Sequence, residues 1–186
     1  MGSVHSFEAS ALAQLRARLG AAEEVNQDLI AFARGHWGAV ASIHRAVLAA
    51  IEADGIAELA ATVVDDWPEM LGIDSAALLF PNRGDTWLAT GNGVQAIDPA
   101  LLRAALRGLP PVTMRTVQRG HAMFGKDAPA IRAEALIRLD CSGGGLLLLG
   151  QTEAIGIEDS RGFDLLMFLG RSLAAMVGRC ADPKSS

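Results

Sequence analysis

Residues 134–150 constrain the fold more than any other stretch of the sequence. A strand-like run at 135–139 is followed by a Cys-Ser-Gly-Gly-Gly corner at 141–145 and by four leucines at 146–149. Glycine adopts positive φ without a Cβ penalty, so the chain can reverse tightly at this corner. Four successive leucines show no polar alternation, which predicts a strand that is covered on both faces. The rest of the chain must therefore supply one cover for each face.

A long amphipathic helix is predicted from about residue 7. Its apolar residues recur at steps of three and four and form a narrow stripe, which is typical of a coiled-coil seam. The sequence therefore predicts self-association, and the homodimer is the expected assembly. The candidate interface residues are Leu12, Leu15, Leu19, Leu29 and Phe32.

The order of the predicted elements indicates an α+β fold. Helices come first, followed by three strands, a short helix capped by Asp98, an edge strand, a loop at 118–130, the two strands of the glycine corner and a last helix. This order favours a central antiparallel sheet with helices on both faces, preceded by a long N-terminal helix. The last helix is apolar around much of its circumference, which predicts burial on two sides. We divide the chain into an N-terminal helical dimerisation segment, 1–52, and a folded domain, 53–182.

Charge and composition exclude several classes of function. The formal net charge is −5, and the only lysines are Lys126 and Lys184. Nucleic-acid binding usually requires clustered basic residues, so no nucleic-acid partner is predicted. No apolar run approaches the roughly 20 residues that span a bilayer, so we predict no membrane association and a cytoplasmic location. The two cysteines and four histidines lack metal-ligand spacing, and no metal or cofactor is predicted.

Two features that suggest catalysis have simpler interpretations. Residues 145–152 resemble a phosphate-binding loop in spacing, but Gln151 stands where the lysine should be and leucines fill the interval. Cys141 lies beside Asp140, which is expected to raise the pKa of the thiol, and no second cysteine is near in sequence. An inert thiol is the favoured interpretation, and a small redox enzyme using Cys141 is the lowest alternative. We predict no catalytic residues.

Several segments together resemble a GAF domain, and specifically the bacterial GAF-like family known as domain of unknown function 484. The resemblance implies a sensor-like fold and a dimer, with no activity attached. The matching segments are residues 29–34 with the helix to Leu48, residues 74–80 after Leu71-Gly72, Met123-Phe124-Gly125, residues 135–139, and residues 143–150.

The resemblance also implies where a ligand would bind. In GAF-like folds the ligand cavity lies between the sheet and the loops or helices that cover one face, so the irregular segment at 115–130 is expected to contact an anionic or aromatic small molecule. The candidate ligand-binding residues are Trp87, Arg115, His121 and Phe124. A plain surface loop is the alternative interpretation of this segment.

The leading hypothesis is a noncatalytic GAF-like regulatory or sensor module that homodimerises through its terminal helices and takes a small ligand against the sheet. The alternative is a protein–protein interaction scaffold whose cavity is filled by its own side chains.

Overall fold

The computed structural model describes residues 38–154 and 160–181. The chain divides into two compact units, residues 1–41 and 42–186, and the second contains the sheet and its covering helices. The predicted dimer-interface residues Leu12, Leu15, Leu19, Leu29 and Phe32 lie outside the described residues, and the seam that they form stays a prediction.

A six-stranded antiparallel sheet forms the centre of the domain. Its strands are ordered β3-β2-β1-β6-β5-β4, so that β1 and β6 are central and β3 and β4 are the edges. The predicted α+β architecture is confirmed, including the placement of the strand at 112–116 on an edge. The strands are β1 (Ser75–Asn82), β2 (Asp85–Thr90), β3 (Gly93–Ile97), β4 (Val112–Thr116), β5 (Ala133–Leu139) and β6 (Gly145–Gln151).

Helices cover both faces of the sheet, as predicted. The helices are α1 (38–52), α2 (Ile56–Ala61), α3 (Trp67–Leu71), α4 (Pro99–Leu106), a 3₁₀ helix (Ala122–Asp127) and α5 (Ser160–Ala181). Residues 42–52 of α1 belong to the second compact unit. One face of the sheet, the helix face, carries α1, α2, α3 and α5, and the other, the lid face, carries α4 and the irregular segment that contains the 3₁₀ helix. No helix among residues 38–154 and 160–181 combines the length and apolar character needed to cross a bilayer.

The glycine corner takes the predicted conformation. Gly143 and Gly144 have φ values of 83° and 72°, and the Gly144 N–H donates a hydrogen bond to the Cys141 carbonyl at 2.8 Å. The following leucines alternate between the two cores: Leu147 and Leu149 pack on the helix face, and Leu146 and Leu148 on the lid face. The prediction that this strand is covered on both faces is therefore confirmed, and Gly145–Gln151 is a buried strand instead of a phosphate-binding loop.

Helix α1 contributes to the core of the domain. Ile43, Ala46 and Val47 are buried in the helix-face core, and Trp67 of α3 donates a hydrogen bond from Nε1 to the Ala46 carbonyl at 3.0 Å. A buried indole N–H needs an acceptor, so this bond fixes α3 against α1. The predicted division of the chain at residue 52 stays a prediction, and residues on its N-terminal side pack with the domain.

Candidate functional site

A short segment, residues 118–130 (the lid), covers one end of the lid face. It closes on itself through the Gly120 N–H, which donates to the Ala128 carbonyl at 2.9 Å. His121 begins its 3₁₀ helix and accepts a hydrogen bond at Nδ1 from the Met123 N–H at 3.3 Å. The loop predicted at this position is therefore ordered by its own hydrogen bonds, and it carries two of the predicted ligand-binding residues, His121 and Phe124.

The lid is held by a buried carboxylate, Glu134 of β5. The side chain of Glu134 has no exposed surface, and its Oε2 accepts a hydrogen bond from the His121 N–H at 2.7 Å. Its Oε1 accepts from Arg115, at 2.8 Å from Nε and 2.6 Å from Nη2. Arg115 and Glu134 are cross-strand partners in the β4–β5 pair, which places them on the same face. Oε2 thus fastens the lid to the sheet, and Oε1 pairs with the arginine of the neighbouring strand.

Phe124 packs the middle of the lid against the sheet. Its side chain is fully buried, and it lies on Gly150 of β6, where an added Cβ would come within 3.0 Å of the Phe124 ring and 2.7 Å of Ile131. Glycine is required here because these side chains occupy the space of a Cβ. At the far end of the lid, Ser75 Oγ donates to Asp127 Oδ2 at 3.2 Å. The lid therefore contacts three neighbouring strands, β1, β6 and β5.

Burial lowers the pKa of His121 below its ordinary value. The nearby carboxylate of Glu134 acts in the opposite direction, and the guanidinium of Arg115 lowers the pKa further. The imidazole is therefore neutral near pH 7, and because Nδ1 accepts from Met123, the proton resides on Nε2. The guanidinium of Arg115 is half-exposed and already paired with Glu134, so binding of an anionic ligand by His121 and Arg115 stays a prediction.

The structure brings together three of the four predicted ligand-binding residues. Arg115 and His121 meet at Glu134, and Phe124 lies in the lid-face core beside them. Trp87 lies apart from them, because it is paired with Phe80 and packs against the helix-face core. The candidate set is therefore divided between the two faces, and its role in ligand binding stays a prediction.

Glu134 is the residue of this site that the sequence prediction missed. It stands in a strand that is otherwise largely apolar and internal to the sheet, between Ala133 and Ala135. A carboxylate in a strand covered on both faces requires a partner, since an unpaired buried charge is costly. The need for a partner, together with Arg115 in the predicted edge strand, could have identified Glu134 from the sequence.

Comparison with known proteins decides the family. The model of the family described as "Protein of unknown function, DUF484" matches residues 1–182. The chain belongs to this family. The resemblance noted from the sequence segments is thereby confirmed. The sequence has no match among curated proteins.

This DUF484 family member has the GAF-like fold, and solved structures of other proteins are similar to it. A far-red absorbing dark-state protein with bound biliverdin IXa is 13% identical, with 75% of this chain and 98% of that chain covered and a TM-score of 0.51. The chromophore-binding domain of Stigmatella aurantiaca bacteriophytochrome is 13% identical, with 73% and 58% covered and a TM-score of 0.50. The phycocyanobilin-bound GAF domain of a cyanobacterial phytochrome is 14% identical, with 78% and 97% covered and a TM-score of 0.49. At these identities the likeness concerns the fold alone.

Cys141 is a half-buried thiol at the β5–β6 corner. Burial is the largest influence and raises its pKa, a backbone hydrogen bond lowers it, and the charge of Asp140 raises it again. The predicted influence of Asp140 is therefore present but secondary to burial. A raised pKa reduces the fraction of thiolate, the reactive form of cysteine. Among the described residues, no three His, Cys, Asp or Glu side chains are grouped as metal ligands.

The lowered pKa of His121 gives a testable dependence of stability on pH. The unfolded histidine has a pKa near 6.5, and the folded value is lower, so acid protonates the unfolded chain first and stability falls as pH drops below about 6.5. His121→Asn keeps an acceptor for the Met123 N–H and removes the titrating group. We expect the variant to lose less unfolding free energy than the wild type between about pH 7.5 and about pH 5.5, measured by urea denaturation.

Arg119→Asn is the matched control for this measurement, because Arg119 is an exposed residue of the same lid. It should keep the wild-type dependence on pH. An identical loss in the wild type and in His121→Asn would contradict the assignment of the acid sensitivity to His121.

Proposed function

We propose that this DUF484 chain is a noncatalytic regulatory module, located in the cytoplasm, that acts as a homodimer joined through its terminal helices. The observation that carries this proposal is the exposed apolar surface of α1 and α5. Leu48 and Ile51 of α1 are 59% and 48% exposed, and Phe168 of α5 is 46% exposed. Large apolar side chains grouped on one outer surface are typical of protein–protein interfaces.

Helices α1 and α5 lie side by side and run in the same direction. The His44 and Phe168 rings meet edge to face with centroids 6.2 Å apart, and Arg179 Nη2 donates to the Ile51 carbonyl at 3.1 Å. Residues 44, 48 and 51 follow one another at steps of four and three, the spacing of a coiled-coil seam. Two copies that present this helix pair to each other would form a four-helix interface. The apolar seam predicted for residues 12–32 has the same spacing.

Leu48→Lys tests the proposed interface. In a symmetric dimer the substitution places two ammonium groups in one apolar contact, where an unpaired charge is strongly disfavoured. We expect the wild type to be a dimer at micromolar concentration and the variant to be largely monomeric, measured by sedimentation velocity. Because Leu48 is exposed, the fold should be retained.

Leu101→Lys is the matched control, since Leu101 is a 48% exposed leucine of α4 on the lid face. It should leave the dimer intact. A monomeric wild type would overturn the dimer, and a dimer that survives Leu48→Lys would show that α1 and α5 do not form the contact.

The packing of the lid face favours the scaffold alternative over a ligand held beneath the lid. Phe124 is fully buried, and Ile131 and Leu148 fill the space beside it. A small molecule reaching Arg115 and His121 from inside would require the lid to rise. A protein of similar fold holds biliverdin IXa, and a ligand of that size would have to displace Phe124. Ligand binding at the lid is therefore the second proposal. It does not include Trp87, which lies on the opposite face of the sheet.

The noncatalytic part of the proposal is supported by the cysteine at the β5–β6 corner. The raised pKa of Cys141 disfavours the thiolate that a redox enzyme would use. Glu134, the buried carboxylate of the site, has both oxygens engaged with Arg115 and the lid backbone, which leaves it poorly placed to act as a base.

A further inference from the structure

A groove runs along one flank of α5, on the helix face and away from the lid. Its lining includes Gly170 and Ile137, where α5 closely approaches the sheet, together with Pro111, Met167 and Ala174. The groove encloses about 310 Å³. Ligand pockets in proteins range upward from about 300 Å³, so this groove suits a small molecule.

Charged residues border the apolar walls of the groove. Arg138 and Arg171 contribute to its lining, together with Asp140. Asp140 Oδ1 accepts a hydrogen bond from Arg138 Nε at 3.2 Å, so one of the two cations already has a partner. Within residues 38–154 and 160–181, no carboxylate lies within ion-pair distance of Arg171. The Arg138–Asp140 pair is neutral, so Arg171 gives the lining of the groove a net positive charge.

Apolar walls and a guanidinium with no ion-pair partner in the described part of the chain together specify the ligand chemistry. A guanidinium binds a carboxylate through two parallel hydrogen bonds, and the apolar walls suit an aliphatic or aromatic body. A monoanion would neutralise the groove, whereas a dianion would leave an excess of negative charge beside Asp140. We propose that this groove is a binding site for a small apolar monocarboxylate, with Arg171 as the contact to the carboxylate.

The proposed site is separate from the dimer surface and from the lid. Helix α5 contacts α1 through Phe168 and Arg179, whereas the groove uses Met167, Gly170, Arg171 and Ala174 on another side of the same helix. The lid lies on the opposite face of the sheet. Carboxylate binding in the groove therefore depends neither on the proposed dimer nor on any ligand beneath the lid.

Titration of the full ¹⁵N-labelled chain with sodium benzoate tests the site. We expect saturable shifts of the backbone amides at 137–140 and 167–175. Benzamide has the same shape without the charge and acetate has the charge without the apolar body, so both should bind more weakly. Arg171→Gln removes a charge-assisted hydrogen bond and should weaken benzoate binding by about tenfold or more. Arg171 is exposed, so this variant should fold normally.

Arg103→Gln is the matched control, because Arg103 is an exposed arginine on α4 and outside the groove. It should bind benzoate as the wild type does. The proposal is overturned by an absence of saturable shifts in the groove, by equal binding of benzamide, or by equal affinity in wild type and Arg171→Gln. Shifts confined to residues 115–127 would place the ligand at the lid instead and would also overturn it.

Discussion

Replacing Phe124 with alanine is expected to lower the free energy of unfolding by about 3–5 kcal/mol. The side chain is fully buried and packs on Gly150 in the lid-face core, so its removal leaves a cavity between the lid and the sheet. Urea denaturation should show a lower midpoint with an unchanged slope, because the surface exposed on unfolding is nearly the same. A cavity of this kind, lined by leucine and isoleucine, should also bind benzene, which would raise the melting temperature of the variant but not of the wild type.

Phe163→Ala provides the comparison, since Phe163 is a 38% exposed phenylalanine on α5. Substitutions at exposed positions usually change stability by about 0.5 kcal/mol or less. Equal losses in the two variants would mean that Phe124 does not anchor the lid.

Replacing Gly170 with valine is expected to destabilise the domain by about 2–3 kcal/mol. A Cβ at this position would overlap Cγ2 of Ile137, a β-branched residue with little rotational freedom. Helix α5 would have to move away from β5, and the gain in helix propensity, about 0.5 kcal/mol, would offset only part of the cost. Thermal and urea denaturation both measure the loss.

Gly178→Val is the internal control, because Gly178 lies roughly two turns further along α5 and an added Cβ there meets no atom within 4 Å. Gly178→Val changes the helix propensity by the same amount but introduces no steric overlap with Ile137. The difference between the two variants therefore isolates the contact with Ile137, and equal stabilities would show that α5 can shift away without cost.

Features that depend on local chemistry were predictable from the sequence. The turn at Gly143 and Gly144 needs positive φ, which glycine adopts freely. The predicted cap of α4 is present, since Asp98 Oδ1 accepts from the Ala100 N–H at 2.7 Å. The leucines of β6 lack polar alternation, and they face two covers as expected. Each of these predictions needed only a few neighbouring residues.

Features that depend on the pairing of distant segments were not predictable in the same way. The β4–β5 register places Arg115 opposite Glu134, where it compensates the buried carboxylate that holds the lid. Alternation shows that Trp87 and Leu88 point to opposite faces, but which of them faces the lid depends on the arrangement of the whole sheet. The groove beside Arg171 likewise exists only where α5 meets β5, and no spacing within either element indicates it.

The two close approaches at Gly150 and Gly170 have a mechanical consequence. Gly150 lies beneath Phe124 on one face, and Gly170 lies on Ile137 on the other. Gly150 and Ile137 belong to adjacent strands, where Gly150 pairs with Glu134 and Ile137 pairs with Leu147. At these two points the lid is in direct contact with β6, and α5 is in direct contact with β5. Close-packed contacts of this kind have low compressibility. We expect a displacement of the lid to be transmitted to α5 through these two contacts and the β5–β6 pair between them.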